Sequence, residues 1–184
     1  MNLNDWFEKG MSPDTYIESM NKHKENLLHV YDHFQLPRDE EFFRQVKEQK
    51  LRAIVLTEDW CGDAMMNIPV LLKLAEVADI DVRMLLRDQN LELMDEYLTN
   101  GTSRSIPIFI FIDENGKEVA VWGPRAAKVQ QFVADAKEAL PDKDAEGYDQ
   151  KFKEMIFFMT KNFRDNQDFW LDTYDSIKQK LQQV

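Results

Sequence analysis

The spacing of apolar positions divides the chain into three stretches. In the first, apolar side chains recur at Tyr16, Met20, Leu27, Val30, Tyr31 and Phe34, the three-to-four spacing of one helical face. Ser12-Pro13-Asp14 marks a helix start: a side-chain cap, a proline whose missing N–H costs nothing in the first turn, and a favourable negative charge. Leu36-Pro37 stops that helix, and a shorter one is predicted from Asp39 to Gln49 with Phe42, Phe43 and Val46 apolar.

The period changes at Arg52. Ala53-Ile54-Val55-Leu56 is a short continuous apolar run, as in strands buried on both faces. A helix follows from Met65 to Val77, a second buried strand from Val82 to Leu86, and another helix after Asp88-Gln89-Asn90, through Leu93, Tyr97 and Leu98. Pro107 to Ile112 is a third strand. Asp113-Glu114-Asn115-Gly116 carries hairpin-turn chemistry, Val119 to Trp122 returns, and Ala126 to Leu140 is helical. The order is strand-helix-strand-helix-strand-strand-helix. Helical crossovers make the first three strands parallel, and the last two form a hairpin. No further strand is expected before residue 51.

Beyond a charged linker, Pro141 to Gly147, two helical stripes appear: Phe152, Met155, Ile156, Met159 and Phe163, then Trp170, Tyr174, Ile177 and Leu181. Such stripes ordinarily pack on their own domain; a dimer or partner surface is the sharper reading. The expected division is an N-terminal helical extension (1–50) packed on a core (51–140), with a C-terminal helical extension (141–184), one compact domain overall.

Composition narrows the function. Of 184 residues, 43% are apolar, enough for a globular core, and the net charge of −11 has the wrong sign for nucleic acid or an anionic membrane surface. No apolar run approaches the ~20 residues that span a bilayer. Met1 to Lys9 shows no secretory pattern. One cysteine makes no internal disulfide, which suits a reducing compartment, and the cytoplasm is the expected location. His29 and His33 sit four apart without a third ligand, so no metal is expected.

Chemistry concentrates at Trp60-Cys61-Gly62-Asp63-Ala64, where a buried strand gives way to a helix. A thiol at a helix N-terminus faces unpaired N–H groups and the positive end of the dipole, which favour thiolate. Glu58, Asp59 and Asp63 oppose this, and Arg104 and Arg125 would offset them where their loops converge on the site. A modest net lowering of the thiol pKa is expected.

These residues resemble the active-site loop of the thioredoxin-like family, Trp-Cys-Gly-x-Cys. Pro69 matches the family's helix-kinking proline, Arg104-Ser105-Ile106-Pro107 its cis-proline loop, Gly123 its groove-lining glycine and Asp88-Gln89-Asn90 the end of its next strand. The resemblance covers about residues 51 to 140. It implies a thioredoxin-like α/β fold, a four-stranded mixed sheet flanked by helices, with extra N-terminal and C-terminal helices. It also implies a cis Ile106-Pro107 bond beside Cys61, freeing backbone groups for strand-like pairing with an extended ligand.

Three positions depart from the family. Ala64 replaces the second cysteine, Val55 the buried acid, and Met84 its lysine neighbour. Without a resolving thiol, reaction at Cys61 stops at a mixed disulfide unless an outside thiol completes it. The expected function is therefore monothiol thiol-disulfide exchange through Cys61, on a protein disulfide or a low-molecular-weight thiol acting as co-substrate, with no bound cofactor. Trp60, Gly62, Asp63, Ile106, Pro107 and Gly123 would form the groove. The alternatives are a non-catalytic peptide- or protein-binding module and a single-cysteine redox sensor.

Overall fold

The computed structural model describes residues 2–184. Its core is a four-stranded mixed sheet: β1 (Arg52–Thr57), β2 (Asp81–Leu86), β3 (Ile108–Ile112) and β4 (Glu118–Trp122), in the order β2-β1-β3-β4. The two central strands are almost wholly buried, which explains their unbroken apolar runs.

β1 and β2 are parallel, as expected, joined by α5 (Gly62–Ala78). β3 corrects the expectation: it runs antiparallel to β1. The segment between β2 and β3 holds only one α-helical turn, α6 (Leu91–Met94), between two short 3-10 turns. A four-residue helix rises about 6 Å, too little to carry the chain back along the sheet. The chain re-enters at the end where β2 left it. β3 and β4 form the predicted hairpin, with Asp113 Oδ1 accepting from the Asn115 and Lys117 N–H groups at 2.8 and 2.9 Å.

The N-terminal stretch folds as α1 (Leu3–Lys9), α2 (Pro13–Ser19), α3 (Lys24–His33) and α4 (Glu40–Glu48). Ser12 caps α2, accepting from Thr15 N–H at 3.2 Å. The single helix expected from Pro13 onward is broken in two. The Asp59 carboxylate takes the Asn21 and Lys22 N–H groups at 2.8 and 3.1 Å, and His23 turns left-handed at φ 57°. A helical repeat cannot anticipate a carboxylate arriving from 38 residues away. Between α1 and α2, Met11 exchanges both backbone hydrogen bonds with Met84 on β2, a one-residue bridge rather than a strand.

The C-terminal stretch, after α7 (Ala127–Glu138), is α8 (Tyr148–Asp165) and α9 (Gln167–Leu181). The predicted stripe Trp170, Tyr174, Ile177 and Leu181 is buried on α9. α9 is also tied by polar contacts. Thr173 donates to Asn67 on α5 at 2.8 Å, Trp122 to Ser176 at 2.8 Å, and Tyr174 to Asp39 at 2.9 Å. The first of these bonds is completely buried. Thr173→Val, which leaves Asn67 Oδ1 without its donor, is expected to cost about 1–3 kcal/mol, read from urea unfolding; an unchanged midpoint would contradict it. On α8 the predicted stripe divides: Met155 and Phe163 are buried, whereas Phe152 and Ile156 are exposed.

Candidate functional site

Cys61 is the N-cap of α5, with extended backbone at φ −84° and ψ 117°. Its sulfur accepts from the Ala64 N–H at 3.4 Å and donates to the Ile106 carbonyl at 3.4 Å. Both capping and the approach to Ile106 follow from the strand-to-helix turn that Trp60-Cys61-Gly62 makes at the end of β1. Ile106-Pro107 is cis, as the resemblance implied, and a second cis bond, Gly123-Pro124, lies close by. Gly123 has φ 133°, and a Cβ there would overlap the Pro107 carbonyl oxygen. Ile106 thus meets the sulfur directly, Gly123 packs on Pro107 next to it, and Trp60, Gly62 and Asp63 adjoin Cys61 along the chain.

Two acids of the loop are taken up by backbone amides. Glu58 accepts the Asp88 N–H at 2.8 Å, and Asp59 takes the amides of Asn21 and Lys22. Below them Thr57 shares a buried hydrogen bond with the Tyr16 hydroxyl at 3.0 Å. Asp63 is buried and forms a two-pronged pair with Arg125, at 2.6 and 2.7 Å. Arg104 does not converge on the site; it pairs with Asp95 at 2.7 and 2.9 Å.

The expected lowering of the Cys61 pKa is corrected. Burial, with Asp63 second, pushes the thiol up from an ordinary 9.0 to about 11, against the backbone amides of Ala64 and Asp63 and the Arg125 charge. Desolvation outweighs the helix terminus because only 8% of the residue is exposed. Donation to the Ile106 carbonyl also exists only while the sulfur keeps its proton. Burial likewise pushes the Asp63 carboxyl up, with Arg125 opposing. Asp63→Asn removes the charge that raises Cys61. It is expected to lower the thiol pKa, measured as a leftward shift in the pH profile of thiol alkylation; no shift would show that burial acts alone.

Two residues at the site were not anticipated. Arg87 lays its guanidinium 4.9 Å from the centroid of Trp60, which is 43% exposed, while bonding Asp88 and the Arg104 carbonyl. Phe163 of α8 lies against Gly62, about 3.5 Å from where a side chain would begin. Phe163 was visible as an apolar position on its helix, but nothing in the sequence places it over residue 62. Val55 and Met84 stand opposite each other across β1 and β2, both fully buried. They form the apolar pair read from the sequence, sparing the several kcal/mol of burying two charges.

Away from the site, His33 Nδ1 bonds the His29 carbonyl at 2.7 Å and His29 faces Asp165 at 3.6 Å. Among the described residues no group of three or more His, Cys, Asp or Glu is placed to hold a metal ion. No helix among them is long and apolar enough to cross a membrane.

A family model described as thioredoxin matches residues 10–137. No curated protein matches the chain significantly. Among solved structures, a Pseudomonas aeruginosa protein of unknown function is similar with a TM-score of 0.64 at 15% identity, covering 86% of this chain and 97% of its own. An HIV epitope-scaffold is similar with a TM-score of 0.61 at 14% identity, over 94% of this chain and 97% of that one. At such identities the likeness is one of fold. A thioredoxin from Fasciola hepatica is 25% identical over 52% of this chain and 88% of its own, with a TM-score of 0.34.

Proposed function

Since the chain belongs to the thioredoxin family, we propose that it is a binding module for an extended polypeptide segment, built on the family's groove and not on its redox cycle. The observation that carries this reading is the state of Cys61. The sulfur is buried, spends its proton on the Ile106 carbonyl and has its pKa pushed up to about 11. An enzyme that depends on thiolate needs the reverse. Ala64, Val55 and Met84 add to this, since resolving thiol, buried acid and lysine are all replaced. The exposed Trp60 ring and the cis Ile106-Pro107 bond support this reading, since strand-like pairing with main chain at that turn would hold a ligand of varied sequence.

The test has two arms. In NMR titrations with unstructured, apolar hexapeptides, shifts are expected to concentrate at the Trp60 indole and the Ile106 amide. In turnover of a glutathione mixed disulfide with glutathione supplied, the native protein is expected to match Cys61→Ser. Cysteine-dependent turnover would overturn the binding-module reading.

That outcome would favour a second reading, supported by the position of the sulfur beside Ile106-Pro107. Here Cys61 as thiolate attacks a disulfide, forms a mixed disulfide and releases one thiol. An external low-molecular-weight thiol then attacks the mixed disulfide, restoring Cys61 and carrying off the second half. Such a cycle belongs in a reducing compartment, the cytoplasm by default. A sensor that joins two chains through Cys61 fits less well, because a sulfur on a residue only 8% exposed cannot meet its twin without the structure around it opening.

A further inference from the structure

α8 presents two unlike sides. Met155 and Phe163 pack inward, whereas Phe157 is 73% exposed and Phe152, Ile156 and Phe158 are also exposed. Lys153, Phe157 and Lys161 recur at four-residue intervals, and Arg164 follows three beyond, so one outward face carries three cations around an aromatic ring. Among the described residues neither Lys153 nor Lys161 is in an ion pair. Arg164 lies 3.9 Å from Asp165, and Glu154, which borders the face, is paired with Lys151, so the two free lysines leave this face positive in a chain of net charge −11. Phe158 packs against Phe132 of α7 and Phe152 against Tyr148, which leaves Phe157 as the large apolar side chain at the centre of the basic face, without an aromatic partner among the described residues.

A complementary surface lies elsewhere on the same molecule. Between α2, α3, α5 and β2 there is a groove of about 550 Å³. Ile17, Leu28, Leu72 and Val82 give it an apolar floor, and Asp14, Glu18 and Glu76 stand along its rim. Asp14 and Glu18 are exposed and in no ion pair among the described residues. The volume is in the range that admits a large side chain with its neighbours. α8 cannot be its occupant within the chain: α8 meets α3 at His29, beside Asp165, whereas the groove uses Leu28 and Tyr31.

We propose that the outward face of α8, with Phe157 at its centre, docks into the acidic-rimmed groove of a second copy of this chain. Phe157 fills the apolar floor, and Lys153, Lys161 and Arg164 meet Asp14, Glu18 and Glu76. The overall negative charge does not forbid this. At physiological salt, charges more than about 8 Å apart are largely screened, so the opposed pairs at the contact outweigh distant repulsion. Because the two surfaces differ, the contact is heterologous, and copies add head to tail unless a ring closes.

Sedimentation velocity separates the outcomes. The native protein is expected to rise above its monomer mass of 21.8 kDa as concentration approaches millimolar. A helix variant (Lys153→Glu with Phe157→Glu) and a groove variant (Asp14→Lys with Glu18→Lys) should each associate at least about tenfold more weakly, a loss of ~1.4 kcal/mol. Mixing the two variants should restore a one-to-one complex that grows no further, since one keeps the helix face and the other the groove. All altered residues are exposed, so circular dichroism should be unchanged. A native protein that stays monomeric overturns the proposal. So does a groove variant that associates like the native chain, which would mean that α8 pairs with itself. Binding of the native monomer to phosphatidylserine vesicles through α8, without self-association, would overturn it in favour of a lipid surface.

Discussion

At pH 7, iodoacetamide is expected to label Cys61 about a hundredfold more slowly in the native protein than in the urea-unfolded chain. A shift from 9.0 to about 11 removes that factor of thiolate at any pH well below both values. Cys61 is the only cysteine, so intact mass reports the reaction without ambiguity. The native rate should climb tenfold per pH unit and level off only near 11. The same shift affects stability with a definite sign. Below about pH 9 both states keep the proton, and nothing changes. Between about 9 and 11 the unfolded chain ionises first, so stability falls as pH rises through that window. Cys61→Ser, which keeps a capping oxygen, should lose that part of the decline. Phe163→Ala should speed labelling by opening the cover over residue 62. Labelling of the native protein as fast as the unfolded chain at neutral pH would refute the account of the site.

Gly123→Ala should be the most damaging single substitution at the groove, at about 3 kcal/mol or more. Two costs act together. A side chain at φ 133° occupies backbone territory that only glycine visits cheaply, at about 1–3 kcal/mol. The added carbon also overlaps the Pro107 carbonyl and sits 3.2 Å from Ile108 Cα, so the cis-proline turn must shift, for about 1–3 kcal/mol more. Gly101 is the control: its φ is 70°, yet nothing lies within 4 Å, so alanine there should cost only the backbone part, about 1–2 kcal/mol. Urea midpoints compare the two. Equal losses would show that the contact with Pro107 contributes nothing.

Much of this site was readable because its signals are local or repeat with a fixed spacing. A buried strand followed by Trp-Cys-Gly places a thiol at a helix start, and Cys61 is indeed the N-cap of α5. Val55 and Met84 could be paired from the sequence as two apolar replacements, and the sheet sets them side by side. The α9 stripe was legible for the same reason, since apolar residues recur there at every third or fourth position. α8 was half legible: its spacing identified a helix, but spacing cannot say how much of an apolar face finds a partner within the chain.

What the sequence determined by itself is a thioredoxin-like core with one thiol and no second thiol of its own to resolve a disulfide, because element order and the absence of a residue type need no coordinates. Tertiary structure decided the rest. The Asp59 carboxylate breaks the first long helix, a one-turn helix turns β3 around, and Phe163 closes over Gly62. Above all it decided the charge state of Cys61. A helix terminus is a local feature and argues for thiolate, but desolvation is the sum of everything packed around an atom, and here that sum is larger.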